Sequence, residues 1–176
     1  MITLTKKALE SKLKKRLKDN CLSLGIDPAS KTGWAIIDIK DGEVNIDYGV
    51  ISVDSKDPYF KFNELIKFFD SLLDRIKLDK REKCVIIEDC WLGHNVAALK
   101  MLARIGMIVY VLSYLKNITR KIISPLSSRS ALGFTGRVKK NVFQAEVLER
   151  LKFDMTDEDA IDALVLGLNG CLEEIL

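Results

Sequence analysis

A short apolar run that ends on a carboxylate constrains the fold of this chain more than any other feature. Residues 22–27 read Leu-Ser-Leu-Gly-Ile-Asp, and Pro28 follows directly. A continuous apolar run is typical of a strand that is covered on both faces, as a central strand is when helices lie on both sides of its sheet. Proline has no backbone N–H to donate, so the strand ends there. The sequence therefore predicts a central strand that delivers Asp27 to one edge of a sheet.

The periodicity of the remaining residues predicts an α/β domain. Strand patterns cover 33–39, 43–53, 84–87 and 121–125, and helical patterns cover 59–78, 94–115, 138–152 and 157 onward. The order β-β-β-α-β-α-β-α-α predicts a five-stranded mixed sheet flanked by helices, with three antiparallel strands followed by two parallel ones.

Composition excludes several classes of protein. The chain has 176 residues, of which 48% are hydrophobic and 30% charged, as expected for one globular domain. Four scattered cysteines and a single histidine predict neither disulfides nor structural zinc, and they favour a reducing, cytoplasmic type of compartment. We expect neither secretion nor a membrane location, because we recognise no signal peptide and no stretch approaching the ~20 apolar residues of a membrane span.

Basic residues are concentrated in one part of the chain, although the net charge is only +3. No acidic residue lies between Asp89 and Glu146, and that span contains nine basic ones: Lys100, Arg104, Lys116, Arg120, Lys121, Arg129, Arg137, Lys139 and Lys140. A like-charged region of this length predicts a positive face, and nucleic acid backbone is the polymer that such a face most often binds.

The pattern of residues 1–20 predicts a basic amphipathic helix. The main domain is predicted to follow it over residues 21–176. Leu9, Leu13 and Leu17 recur at every fourth position, with lysines around them. We expect this extension to dock by its thin apolar stripe on the edge of the domain. An auxiliary contact to DNA is the alternative.

Four carboxylates carry the chemistry that the sequence predicts. Asp27 and Glu88 each end a strand, and adjacent parallel strands would deliver both to the same sheet edge. Asp159 and Asp162 share a face of the last helix. Acids near a helix start are stabilising, which explains Asp159, but Asp162 lies in a segment that is apolar nearly all round. Clustered carboxylates are typical ligands of Mg²⁺ or Mn²⁺, so acids beside a basic tract predict metal-dependent phosphodiester hydrolysis.

These residues resemble those of the RuvC family of Holliday-junction resolvases, which are nucleases of the RNase H-like fold. The likeness covers about residues 21–172 and depends on several motifs in the same order. They are Leu24-Gly-Ile-Asp-Pro28 with Thr32-Gly-Trp34, Ile86-Ile-Glu88, the helix at 95–104, Ser124-Pro125, the segment 133–142, and Asp159-Ala-Ile-Asp-Ala-Leu164.

The resemblance implies a site in which Asp27, Glu88, Asp159 and Asp162 bind two Mg²⁺ ions, with Mn²⁺ as a substitute. Lys139 falls at the position of the family's active-site lysine. The family's enzymes are homodimers that nick two opposed strands of a four-way junction and leave 5′-phosphates. We therefore expect branched DNA and a second copy of the chain as partners, and neither a small-molecule cofactor nor a membrane.

Further residues are predicted around this site. The helix at 94–115 is too apolar to face solvent and is the predicted dimer surface. Either Ser128 or Arg129 occupies the position of a second family lysine, and Phe134 is a candidate wedge between bases. The predicted DNA contacts are Arg104, Lys121, Arg129, Phe134, Arg137 and Lys140.

Other functions stay open at this point. The first is a nuclease of the same fold that cuts a broader range of branched DNA, or that cuts RNA–DNA hybrids. The second is a protein that binds branched DNA without cutting it. The third is a small-molecule kinase of the actin-like fold. Four mutually repelling carboxylates argue against a simple binding protein. For Trp91 the two alternatives are stacking on a DNA base and packing in the core. For His94 they are a position at the helix start or facing DNA, and a role as catalytic base.

Overall fold

The computed structural model describes residues 1–90, 96–135 and 137–173 of the chain, so Trp91 and His94 lie outside the described residues. The described strands are β1 (Ile2–Thr5), β2 (Cys21–Asp27), β3 (Thr32–Lys40), β4 (Glu43–Ile51), β5 (Glu82–Glu88) and β6 (Thr119–Ile123). They form one sheet in the order β1-β4-β3-β2-β5-β6.

The sheet confirms the predicted arrangement and adds one strand to it. The strands β2, β3 and β4 form an antiparallel meander, β5 runs parallel to β2, and β6 runs parallel to β5. The predicted count of five is wrong by one, because β1 pairs antiparallel with β4 at the edge of the sheet.

Helices cover both faces of the sheet. The described helices are α1 (Lys6–Leu13), α2 (Pro58–Lys77), α3 (Val96–Leu115), α4 (Pro125–Ala131), α5 (Lys140–Leu151) and α6 (Glu158–Gly170). Side chains of α1, α5 and α6 form one hydrophobic core against the sheet, and α2 and α3 form another on the opposite face. The central strand β2 is buried along its whole length, as its continuous apolar run predicted.

Helix α6 lies closest to the sheet, because glycines let its backbone approach the strands. Every residue from Ala160 to Gly170 is buried. A Cβ atom added at Gly25 of β2 would lie 2.0 Å from the carbonyl oxygen of Ala163, and one added at Gly33 of β3 would lie 1.9 Å from that of Asp159. The backbones of α6 and the central strands are therefore in direct contact.

The prediction of a single helix over residues 1–20 is wrong. The segment forms β1 and then α1, which begins where the Thr5 hydroxyl accepts a hydrogen bond from Ala8 N and ends at Lys14 in a left-handed conformation with φ 54°. Leu9 and Leu13 are buried as their spacing predicted. The strand was missed because four residues are too few to show a clear alternation beside a strong helical pattern.

Helix α3 corrects the expectation that no stretch approaches the length of a membrane span. Its 20 residues have a mean hydropathy of 1.7, so by length and composition it could cross a bilayer, a test that core helices of soluble proteins also pass. Here α3 connects the adjacent parallel strands β5 and β6 and packs Ile105 and Val109 into the core. It is a crossover helix of the sheet with an apolar outer side.

Candidate active site

Two acidic side chains leave the same edge of the sheet. Asp27 is the last residue of β2 and Glu88 the last of β5. The two strands are parallel neighbours in which Ile26 pairs with Ile87, so the acids that follow lie side by side. Asp27 is only 6% exposed, and Glu88 is partly buried.

Helix α6 brings the other two acids to this edge. Asp157 caps the helix by accepting hydrogen bonds from the backbone N–H groups of Asp159 at 3.1 Å and of Ala160 at 3.4 Å, so the side chain of Asp159 is not needed for capping. Asp162 follows on the same face and is 6% exposed. Its Oδ2 accepts a hydrogen bond from Gln144 Nε2 at 3.2 Å, whereas its Oδ1 is buried with no hydrogen-bond partner in the structure.

One ammonium group lies among these carboxylates. Lys140 Nζ is 2.7 Å from Asp162 Oδ2, 3.4 Å from Asp159 Oδ1 and 3.9 Å from Asp27 Oδ2. Lys140 is the first residue of α5, and Lys139 is its exposed N-cap residue. Among the described residues no ion pair joins Lys139 to an acid, so the structure brings Lys140 rather than Lys139 to the carboxylates.

Burial and mutual repulsion make these acids hard to ionise. Burial, followed by the charge of Asp162, raises the pKa of Asp27 to about 7. Burial, followed by the charges of Asp27 and Asp162, raises the pKa of Glu88 to about 8, which places Glu88 within the same electrostatic cluster. Burial also raises the pKa of Asp162, although Lys140 opposes that shift. The cluster therefore has more negative charge than its surroundings neutralise.

The side-chain types suit divalent cations, although they are not arranged as a complete coordination site. In the described part of the chain, no three acidic, histidine or cysteine side chains are close enough together to hold a metal ion as they stand. Among the described residues none donates to the buried Asp162 Oδ1, and a carboxylate oxygen in that position is costly unless a cation or a hydrogen bond satisfies it. The donors are all oxygen atoms, which is the ligand set that Mg²⁺ and Mn²⁺ prefer.

Arg129 adds a second positive charge to the site. It lies on α4 with its guanidinium 4.2 Å from the centre of the Phe143 ring, and its charge lowers the pKa of Asp27, Glu88 and Asp162. Ser128 is buried and donates its hydroxyl to the carbonyl oxygen of Pro125 at 3.0 Å. Of Ser128 and Arg129, only Arg129 has a charge that affects the pKa of the acids.

The remaining predicted DNA contacts are spread over the molecule. Arg137 is exposed in the segment that leads to α5. Arg104 lies over the Phe62 ring, between α2 and α3 on the opposite face of the sheet from α5 and α6. Lys121 pairs with Ile86 in the middle of β5, away from the acids at the strand end. The structure does not bring Arg104 or Lys121 to the carboxylates.

The prediction that Phe134 serves as a wedge is wrong, because its ring is part of the core. Phe134 is 5% exposed and packs edge-on against Phe143 with ring centres 5.7 Å apart. Arg150 covers the ring at 4.1 Å. The flanking glycines suggested an exposed tip, but the side chain turns inward.

Sequence analysis also missed Gln144. Its Nε2 donates to Asp162 Oδ2 and to the carbonyl oxygen of Glu158 at 3.0 Å, so it orients the buried carboxylate. Its position four residues after Lys140 in a helix was the available signal, because residues at that spacing share a face.

Comparisons with known proteins show which family and fold this chain resembles. The model of the family described as crossover junction endodeoxyribonuclease RuvC matches residues 23–169. The solved structure of T. thermophilus RuvC in complex with Holliday junction substrate is 17% identical with a TM-score of 0.68, and the match covers 84% of this chain and 90% of that one. Another Thermus thermophilus RuvC structure is 17% identical with a TM-score of 0.67, over 84% and 91% of the two chains. A search of curated proteins finds no significant match.

Proposed function

The chain belongs to the RuvC family of crossover junction endodeoxyribonucleases, and on this premise we propose that it resolves four-way DNA junctions by paired hydrolysis of opposed strands. The observation that carries the proposal is the carboxylate cluster, in which the buried Asp162 Oδ1 has no partner and the pKa of Asp27 and Glu88 is raised. A protein that only bound DNA would have no use for such an uncompensated cluster.

The family is dependent on divalent metal ions, and their identity and number here are part of the proposal. We assign Asp27, Glu88, Asp159 and Asp162 as the residues that hold two Mg²⁺ ions, with Mn²⁺ as a substitute. Bound in this way, divalent cations stabilise the charge that develops on a phosphodiester during in-line displacement.

The chain's own cations have separate tasks in this proposal. Lys140 partly compensates the charge of Asp27, Asp159 and Asp162, and it would compete with a cation for these carboxylates. Lys139 is the exposed neighbour of Lys140 in the chain, and its role would be to stabilise charge on the scissile phosphate. Arg129, whose guanidinium lies over the Phe143 ring, adds a second positive charge that acts on the acids. Arg137 binds the DNA backbone next to the cut.

The outer side of α3 supports a homodimer. Apolar residues on this helix are unusually exposed: Val96 57%, Met107 54%, Val111 44%, Tyr114 61% and Leu115 67%. Between α2 and α3 lies a groove of about 520 Å³ lined by Phe62, Ile66, Arg104, Met107, Ile108, Val111 and Leu112. An exposed apolar patch of this kind is typical of a protein interface. Two copies related by twofold symmetry present two sites to the two opposed strands of a junction.

Cleavage of defined DNA substrates tests the function. Four-way, three-way, linear and RNA–DNA hybrid duplexes of matched sequence are incubated with the protein and Mg²⁺, and the cuts are mapped on each strand. We expect symmetric nicks in opposed strands of the four-way junction. Preferential cutting of the hybrid would favour an RNA–DNA hybrid nuclease instead. Binding without cutting, with either Mg²⁺ or Mn²⁺, would leave a branched-DNA-binding protein.

Asp162→Asn tests the assigned site. Loss of a residue that merely supports a metal ligand costs about 10–100-fold, so loss of a ligand should reduce cutting by more than about 100-fold. Junction binding measured without metal should persist. The control is Asp41→Asn, because Asp41 lies in the hairpin at the opposite end of the strands and has a left-handed backbone that Asn tolerates. Normal cutting by Asp162→Asn would remove this residue from the site.

A further inference from the structure

A second group of basic residues lies on α1 and the turn that follows it, outside the part of the chain that the family model matches. They line a shallow depression of about 360 Å³ whose lining residues are Lys7, Glu10, Ser11, Lys14, Lys15 and Arg16. The four basic side chains, which we call the α1 cationic surface, are all exposed.

The charges of the α1 cationic surface are not neutralised. In the described part of the chain, none of its four members forms an ion pair, whereas neighbouring lysines do: Lys6 pairs with Asp19, and Lys18 with Glu82. The one acid in the depression is already engaged. Glu10 Oε1 accepts the backbone N–H of Leu17 at 2.9 Å and lies 3.4 Å from Lys6 Nζ. Clustered cations without counter-ions create a field that attracts a polyanion.

The backbone that carries these cations is fixed in place. Leu13 and Leu17 on either side of the turn are buried at 1% and 0% exposure. Beyond the turn, Glu173 N donates to the carbonyl oxygen of Arg16 at 3.3 Å, and Lys18 N donates to that of Cys171 at 2.9 Å. The surface is therefore preorganised, and little ordering of the backbone is needed when an anion binds.

Lys14 occupies a backbone conformation that glycine normally takes. It ends α1 at φ 54°, and its N–H bonds to the carbonyl oxygen of Glu10 at 2.7 Å. The cap uses only backbone atoms, so the lysine side chain contributes nothing to it. A positive side chain is held here in spite of the conformational strain.

The α1 cationic surface adjoins the start of the segment that leads to Lys140. Lys15 Cε would lie 4.0 Å from a Cβ atom at Gly133, so Lys15 is next to the start of that segment. The segment then runs through Arg137 to Lys139 and Lys140. Helices α1, α5 and α6 also share one face of the sheet. The α1 cationic surface lies at the opposite end of the strands from the carboxylates, since Lys6 N donates to Gly42 O and Lys18 pairs with Glu82. Two basic groups at this separation fit the evenly charged backbone of a duplex better than a single small anion.

We propose that Lys7, Lys14, Lys15 and Arg16 form a phosphate-binding surface for a duplex arm of the DNA substrate, beyond the point of cutting. The inference rests on the proposed function, since it assumes that DNA enters the carboxylate site. The depression contains no aromatic or large apolar side chain, so it lacks the anchors with which a protein surface inserts into a membrane.

The salt dependence of DNA binding tests this surface. Lys15→Gln/Arg16→Gln is compared with the wild type by titrating a labelled four-way junction, without divalent cations, between about 50 mM and 200 mM salt. Each lost phosphate contact lowers the slope of log K against log[salt] by about 0.9, so the double variant should lose nearly two units of slope for each protomer whose α1 contacts the junction. On junctions whose arms are shortened step by step, the difference from wild type should vanish once the arms no longer reach α1.

A charge-matched variant on the opposite face is the control. Lys77 and Lys80 are exposed at the end of α2, and Lys77→Gln/Lys80→Gln removes the same charge there. Its slope should equal that of wild type. Lys7→Gln/Lys14→Gln supplies an independent second variant, and circular dichroism checks that each variant is folded.

The two proposals fail in distinguishable ways. An unchanged slope in both variants of the α1 cationic surface, with normal junction cutting, overturns the surface and leaves the function standing. An equal loss of slope in the α2 control variant also overturns the proposed surface, because the effect would then depend on net charge alone. A reduced slope in a protein that cuts no substrate supports the surface while overturning the nuclease function.

Discussion

At the scale of single residues, the charge balance of the site depends on Lys140. Its ammonium lies within 4 Å of Asp27, Asp159 and Asp162, of which Asp27 and Asp162 are almost completely buried. Burial by itself lowers the pKa of Lys140, but these carboxylates raise it overall. The side chain therefore stays protonated. Removing the charge would leave these acids facing one another with Arg129 as the remaining nearby cation.

Lys140→Gln should destabilise the metal-free protein. Breaking a fully buried ion pair costs about 3–5 kcal/mol, and partial exposure of Lys140 reduces the expected loss to about 1–2 kcal/mol. Added Mg²⁺ should raise the melting temperature of the variant more than that of wild type, because the cation then meets no competing ammonium. Thermal unfolding in EDTA and in Mg²⁺ measures both effects.

Lys139→Gln is the matched control for this prediction. Lys139 is the adjacent, exposed residue, and among the described residues it forms no ion pair with the acids. Its stability and its Mg²⁺-induced shift should equal those of wild type. If Mg²⁺ raised the melting temperature of wild type and of Lys140→Gln equally, Lys140 would not be a counter-ion to the cluster.

Part of this site could be predicted from single residues, and part could not. Asp27 and Glu88 each end an apolar run, so their arrival at one sheet edge follows from strand order. Lys139 and Lys140 are neighbours in sequence, and the one that faces the acids is determined by how α5 packs. The direction of Phe134 likewise depends on the core, where it meets Phe143, and no local pattern specifies that contact.

At the scale of elements, the position of α6 determines the geometry of the acids. The helix contributes Asp159 and Asp162, and the strand β2 contributes Asp27. Gly25 and Gly33 let the helix backbone touch the strands, so no intervening side chain sets the spacing. The spacing of the carboxylates is therefore as rigid as the backbone contact itself.

Gly25→Ala should destabilise the fold strongly. The added methyl group would lie 2.0 Å from Ala163 O and 2.2 Å from Gly167 N, which are backbone atoms that can give way only if α6 moves. We expect a loss of about 3 kcal/mol or more, at the upper end of overpacking effects. The free energy of unfolding in urea measures it.

Gly106→Ala in α3 is the contrasting substitution. A Cβ there would meet Ile87 and Pro28 at 3.6 Å, an ordinary contact, and alanine favours a helix interior. This variant should be more stable by about 0.5–1 kcal/mol. A Gly25→Ala protein as stable as wild type would contradict the proposed backbone contact.

Elements with a long periodic pattern were predictable, whereas short ones were not. Helix α2 lies within one residue of its predicted limits at both ends, and α3 ends at Leu115 as predicted. The seven-residue α4, capped by Ser124 with Pro125 at its first position, was not predicted, because one or two turns produce no periodicity. The strand β1 was missed for the same reason.

At the scale of the whole molecule, the exposed side of α3 is the surface through which we expect two copies to assemble. Its apolar residues and the groove beside it form a surface that a second copy would cover. A stable interface buries about 800 Å² on each partner, so a helix of this length with its neighbour α2 is large enough to supply most of it.

Val111→Glu should dissociate the dimer. Val111 lines the groove and is 44% exposed in the single chain. An unpaired carboxylate buried at an interface costs several kcal/mol, so the dissociation constant should rise by about 100-fold or more. Size-exclusion chromatography with light scattering measures the mass, and the variant should lose paired nicking.

Tyr59→Glu is the control for assembly. Tyr59 is 81% exposed at the start of α2 and does not line the groove, so the same charge there should leave the dimer intact. A wild-type protein that is monomeric at micromolar concentration would contradict the predicted interface, as would a Val111→Glu protein that remains dimeric.

The late position of α6 in the chain has a consequence for biosynthesis. A ribosome completes β2 through β6 before α6 emerges, and until then a nascent chain has an open core where the helix will lie and lacks Asp159 and Asp162. Until α6 docks, the face of the sheet that it covers stays open to solvent. A chain without α6 also lacks two of the four proposed metal ligands, so we expect no cutting before this helix has folded onto the sheet.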